Sequence, residues 1–151
     1  MTPPDTSPTP NPWPVQRRFF IPYHDVDVLN HLNHAAYFVY METLRCDYYL
    51  PFLPSRDPSQ LDIIILEASC RYLAQVSFGQ IILGEVVPAT PIGRTSFTLL
   101  YRFRNEKGTV TARGKTVIVC FDYGKGTKKE IPPHVRQALE AQAVDPSAEG
   151  W

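Results

Sequence analysis

The sequence predicts an α+β domain in which an antiparallel sheet wraps around one long central helix. Three observations carry that prediction. Residues 34–50 run without a helix breaker and are apolar around most of the circumference. From residue 64 onward, apolar and polar residues alternate with period two. The chain has 151 residues, 44% of them hydrophobic, which is one domain's length with enough apolar material for a core. A helix that is apolar nearly all round is a buried helix, and strands with one apolar face supply the surface that buries it.

The elements follow in order. Six of the first fourteen residues are proline, interleaved with Thr, Ser and Asn, so residues 1–13 read as a disordered Pro-rich tail. The folded domain is expected over 14–143, with 144–151 a flexible C-terminal tail. Arg17–Tyr23 reads as an aromatic-rich first strand ended by Pro22 and a polar loop. His34–Leu50 is the central helix, stopped by Pro51. After a loop to Leu61, Ile64, Leu66, Ala68, Cys70 and Tyr72 alternate with Ile65, Glu67, Ser69 and Arg71 as a strand. Gly79 separates it from Gln80–Val87, Pro88–Gly93 is a turn, and Thr95–Arg104 follows. Asn105–Gly108 closes a hairpin onto Thr109–Phe121. The last four strands are expected as an antiparallel meander, and a short amphipathic helix after Pro132–Pro133 closes the domain.

Composition excludes several function classes. Fifteen Lys+Arg balance fifteen Asp+Glu, which is not the footprint of a general nucleic-acid binder or of a polybasic membrane-surface protein. No apolar run reaches the ~18 residues of a membrane span, and the N-terminus lacks a secretory apolar core. Cys46, Cys70 and Cys120 are odd in number and widely spaced, as expected of reduced thiols in a cytoplasmic protein.

The chemistry concentrates in Tyr23–Tyr37, which holds three of the four histidines and runs straight into the helix. The first N–H groups of a helix lack internal partners and sit at its positive end, so they stabilise an oxyanion or carbonyl oxygen. A carboxylate held there can act on that carbonyl as base or nucleophile. Structural readings compete: Asp25 or Asp27 can terminate the strand, Asn33 is an N-cap candidate, and His31 and His34 can be ordinary loop histidines. His31 and His34 at i,i+3 match no zinc motif, so no metal site is expected. Glu42 is expected to pair with Arg45 one turn on.

Asp25-x-Asp27, His31-x-Asn33-His34, Tyr37 and Glu42, followed by Arg71-Tyr72-Leu73, Phe78-Gly79 and Gly93–Phe97, resemble the hotdog-fold acyl-CoA thioesterases of the 4-hydroxybenzoyl-CoA thioesterase type. The resemblance covers roughly Arg17 to Gln142 and implies the same helix-wrapping sheet. By position it makes Asp27 the catalytic carboxylate and the backbone N–H near His34 the group polarising the thioester carbonyl. His34 and Tyr23 match positions of the bacterial branch associated with the Tol–Pal system, and His31-x-Asn33 matches another branch. Tyr23, His31, Asn33 and His34 thus join Asp27 in the candidate catalytic set. Asn30 stands where the family has glycine, and Asn tolerates left-handed geometry better than most residues.

The resemblance further implies hydrolysis of an acyl-CoA to free acid and CoA without metal or organic cofactor. Other outcomes it leaves open are an acyl-ACP thioesterase, a hotdog dehydratase, or a non-catalytic acyl-thioester-binding module. Between Arg94 and Lys129 nine basic residues face two acidic ones, Glu106 and Asp122. A solvated outer sheet face is the plain reading of this stripe. The functional one is a docking surface for CoA phosphates or the acidic helices of acyl carrier protein. Arg94 stands at a CoA-phosphate position of related enzymes, with Lys128 and Lys129 next. A homodimer or homotetramer is expected, because a lone subunit leaves a sheet edge and one side of the helix uncovered.

Overall fold

A computed structural model describes residues 13–151; the expected tail over 1–12 lies outside the described residues. Strand β1 (Val15–Phe20) leads through a 3-10 turn (Tyr23–Asp25) into helix α1 (His34–Tyr49). Three short 3-10 turns between Leu50 and Gln60 follow, then strands β2 (Ile63–Tyr72), β3 (Ile81–Ala89), β4 (Ser96–Asn105) and β5 (Val110–Asp122). The two-residue strand β6 (Thr127–Lys128) and helix α2 (Pro133–Gln142) complete the domain.

The strand order is β1-β3-β4-β5-β2, all pairs antiparallel, with β6 added on β5. The expected four-strand meander is therefore corrected: only β3-β4-β5 is a meander, and β2 pairs with β5 from the far edge. Period-two patterning fixes which side chains share a face and says nothing about which neighbour a strand takes. A register irregularity between Ile65 and Glu67 also breaks the single alternation read for β2. Ile63 and Cys70, of opposite parity, both pack on the core because this bulge lies between them.

Helix α1 lies across the inner face of the sheet. Tyr37, Tyr40, Met41, Leu44, Tyr48 and Tyr49 are buried and join Ile82, Leu99, Tyr101, Phe103 and Ile118 in one cluster. Two glycines in the sheet let the helix settle this close. A Cβ on Gly84 would come within 2.7 Å of Phe19 and 2.9 Å of Leu44, and one on Gly114 within 2.6 Å of Met41 Sδ. The opposite helix face is open in the single chain. Phe38 is 37% exposed and Val39 61%, and Glu42 beside them is exposed too, so burial is not all round. One sheet covers one face. Glu42 forms no ion pair with Arg45 among the described residues.

The outer face is polar at its centre. Glu85 is fully buried and accepts from Arg102 Nε at 2.7 Å, Arg104 Nη2 at 2.8 Å and Gln16 Nε2 at 3.2 Å. Trp13, placed by composition in the tail, is buried, with the Arg102 guanidinium 4.3 Å from its ring centroid. The C-terminal residues also differ from the loose end expected of them. Val144 N–H donates to Pro88 O at 3.0 Å, Thr90 N–H donates to Val144 O at 2.9 Å, and Val144 and Trp151 pack with Trp13, Val87, Ala89 and Leu100. Two tryptophans supply the apolar area that the surrounding composition lacks.

Candidate active site at the start of the long helix

The loop before α1 folds back on itself around Asp27. Asp27 N–H donates to His31 O at 2.8 Å, and Asn30 N–H to Asp27 O at 3.0 Å. The turn needs a left-handed residue, which Asn30 provides at φ 59°. Its side-chain Oδ1 accepts from Phe78 N–H at 3.2 Å, tying this loop to the one after β2.

Asp27 Oδ1 accepts from the backbone N–H groups of Leu29 (2.9 Å) and His31 (3.1 Å). The His31 hydrogen bond, joined by that from Leu29, holds the carboxyl below its usual pKa. Oδ2 takes no hydrogen bond among the described residues. The side chain is exposed, ionised at neutral pH, and has one oxygen committed to the loop and one open.

Asn33 is the N-cap of α1, its Oδ1 accepting from Ala35 N–H at 3.0 Å and its carbonyl from Ala36 N–H at 3.0 Å. His34 N–H, the first of the helix, has no acceptor among the described residues. It is thus a free donor at the positive end of a 16-residue helix.

Asp27, His31, His34, Tyr37 and Tyr72 line one cleft of about 370 Å³, closed along one side by the Leu73–Val76 loop. Tyr72 OH donates to His34 O at 3.0 Å, and the two rings meet edge-on at 6.2 Å. Tyr37 OH donates to Thr111 Oγ1 at 3.3 Å, and burial pushes its pKa up to about 12, so it stays a neutral wall. Asp25 faces elsewhere: Tyr40 OH donates to its Oδ2 at 2.5 Å, and Asn33 N–H donates to its carbonyl at 2.8 Å. It anchors the loop to the helix.

The structure brings Asp27, His31 and His34 together and leaves other candidates apart. Tyr23 is 78% exposed and packs edge-on against Phe78 at 5.9 Å, outside the cleft. Asn33 contributes through its cap. Tyr72 enters the sequence reading only within the Arg71-Tyr72-Leu73 stretch, with no site role, because its contact with His34 spans 38 positions and depends on strand register. Arg94 pairs with Glu130 at 3.2 Å and Lys129 with Asp62 at 2.5 Å, and Lys128 lies in β6. All three sit beyond the Ser96–Val119 end of the sheet, whereas the cleft lies at its Phe103–Ala112–Tyr72 end. Seven residues of extended strand separate those levels, roughly 23 Å. Among the described residues, no three His, Cys, Asp or Glu side chains gather as a metal would require.

The fold has close relatives in shape. A predicted thioesterase from Bacillus stearothermophilus aligns with TM-score 0.80 and 24% identity, over 87% of this chain and 97% of that one. A thioesterase from Thermus thermophilus, complexed with coenzyme A and Zn, aligns with TM-score 0.75 and 24% identity, over 84% and 98%. A thioesterase-superfamily protein from Jannaschia sp. CCS1 gives TM-score 0.76 and 23% identity, over 90% and 88%. Comparison with curated proteins gives no match. The sequence model of the thioesterase-like superfamily matches residues 21–139, which takes in the Asp27 loop, α1 and the sheet from β2 through β5. The chain belongs to the thioesterase-like superfamily and has its hotdog fold.

Proposed function

We propose that the protein is a cytoplasmic acyl-CoA thioesterase with its reaction centre in the Asp27 cleft. The observation that supports this reading most directly is one geometry: an open carboxylate oxygen and an unoccupied helix N–H at the same cleft, in a chain of this superfamily.

The thioester carbonyl oxygen accepts from His34 N–H, and the helix end stabilises the negative charge that develops there. Asp27 Oδ2 acts in one of two ways. As a base it takes a proton from water, whose hydroxide adds to the carbonyl carbon; the C–S bond then breaks and the CoA thiolate leaves. As a nucleophile it adds to the carbonyl carbon itself, the C–S bond breaks to release the CoA thiolate, and water opens the resulting anhydride to the free acid and the Asp27 carboxylate. Labelled water oxygen appearing in the Asp27 carboxylate after one turnover marks the second route. His31 borders the attacking side, and Tyr72 fixes the His34 peptide through its carbonyl. Neither route requires a metal or an organic cofactor.

Arg94, Lys128 and Lys129 lie too far from Asp27 in one chain to share its ligand. In this reading they hold the CoA phosphates for the cleft of a second copy, across the β2 edge and the open face of α1. Ile65, Leu66, Phe38 and Val39 are exposed there, and that apolar surface suits a homodimer contact. A panel of short, medium, long and aromatic acyl-CoAs with thiol detection is the test. Release of CoA from at least one is expected; no release from any of them overturns the reading.

A further inference from the structure

The outer face of the sheet holds a cavity of about 570 Å³, larger than the Asp27 cleft and separated from it by the sheet itself. Its walls carry Arg71, Arg113, Lys115 and Trp151 over a floor of Ala89 and Leu100. The volume lies within the ~300–1,000 Å³ range of small-molecule sites.

The cations are arranged in an unusual way. Arg71 in β2 is directly opposite Arg113 in β5, which is directly opposite Arg102 in β4, which is opposite Glu85 in β3. Neighbouring strands are ~4.8 Å apart, and like charges directly opposed across strands destabilise a sheet. Only the Arg102 end is neutralised, by Glu85 at 2.7 Å. Arg113 donates to the carbonyl of Glu149, an uncharged partner, and its guanidinium lies 5.9 Å from the Trp151 ring centroid. Lys115 has a loose contact with Glu67 at 3.6 Å. Arg71 is exposed and has no hydrogen bond or ion pair among the described residues. Three strands therefore present a row of guanidiniums whose repulsion an anion would relieve, next to an indole and an apolar floor.

We infer that this cavity binds a phosphorylated ligand of mononucleotide size, its phosphate held by Arg71, Arg113 and Lys115 and its planar ring against Trp151. Guanidinium forks match phosphate oxygens, and the indole gives a flat base its stacking surface. The inference is independent of the reaction at Asp27, since none of these residues lines that cleft.

The full chain is titrated with AMP, adenosine and inorganic phosphate, followed by calorimetry and tryptophan fluorescence. AMP is expected to bind saturably, with adenosine and phosphate each at least about tenfold weaker because each lacks one half of the recognition. Arg71→Ala and, independently, Lys115→Ala are expected to weaken AMP about tenfold, again as loss of one charged hydrogen bond. Both side chains are partly or fully exposed, so folding, checked by melting, is unaffected. Absence of saturable AMP binding up to about millimolar concentration overturns the inference. So does binding weakened by Arg94→Ala but not by Arg71→Ala, which moves the ligand to the other end of the sheet. Sedimentation in which Arg71→Ala dissociates an oligomer that AMP does not affect also overturns it, giving the face to a second copy.

Discussion

Helix α1 has a closed end and an open one. At its C-terminal end Tyr48 OH donates to Gln142 Oε1 at 2.6 Å and Tyr49 OH to Asp62 Oδ1 at 2.8 Å. Arg17 clamps Asp47 through two hydrogen bonds, at 2.7 and 2.9 Å. Tyr49 stacks on Phe97 with ring centroids 6.1 Å apart. At the N-terminal end the polar inventory is as rich, yet His34 N–H and Asp27 Oδ2 have no acceptor or donor among the described residues. Burying unpaired polar groups costs stability, so a fold keeps such groups only where solvent or a ligand reaches them. The same helix thus separates polar groups that hold the fold together from polar groups left available for chemistry.

The largest expected effect tests the open end. Asp27→Asn keeps an oxygen that can accept from Leu29 and His31 N–H but removes the charge. It should lower kcat on a responsive acyl-CoA by about 10²–10⁴-fold, the usual loss for a general base, with the urea midpoint unchanged. Turnover at the wild-type rate would break the comparison by making the loop carboxylate structural after all. The closed end should answer in the opposite way. Tyr49→Phe removes a hydroxyl bound to a carboxylate and should cost about 2 kcal/mol in urea unfolding, with kcat nearly unchanged. The smallest effects sharpen the contrast within the cleft. His34→Ala keeps the backbone donor, so kcat should fall by less than about tenfold; a loss as large as that of Asp27→Asn would make the imidazole a principal catalyst. Because hydrogen bonding from His31 and Leu29 lowers the Asp27 pKa, the ionised form persists as pH falls through the ordinary carboxylate range. The wild-type kcat/KM should therefore stay flat between about pH 5 and about pH 7, whereas a fall centred near 6.5 would assign the titration to a histidine.

Much of this architecture was legible in the residues, and the part that was not has definite causes. The strands from Ile63 to Asp122 announce themselves by alternation, and α1 by the absence of breakers between His34 and Tyr49. The Asp27 loop was legible for a different reason: its contacts are local, closing within Asp27–His31 and Asn33–Ala36. The place of Tyr72 in the cleft was hidden because its approach to His34 depends on β2 running along the far edge of β5, with a bulge after Ile65. The open face of α1 follows from the family resemblance and not from composition, because a count of apolar residues does not tell whether one subunit or two will cover them. The packing of Trp13 and Trp151 was masked by the proline, serine and glycine around them. Arg94, Lys128 and Lys129 stood out by charge, but charge in the sequence carries no information about which end of a sheet it reaches.

The glycines beneath α1 set the spacing on which the cleft depends. Gly114 has Met41 where its side chain would be, and Gly84 has Phe19 and Leu44. A methyl group at Gly84, walled by the Phe19 and Phe103 rings and by Leu44, would act as a shim, lifting the helix from the sheet. Because His34 heads that helix while Asp27 is tied to the loop preceding it, the lift would change the angle between donor and carboxylate without touching either. In a mutational library, Gly84 should therefore be intolerant of even the smallest side chain while lining no part of the cleft, whereas at Gly114 the flexible end of Met41 can turn aside.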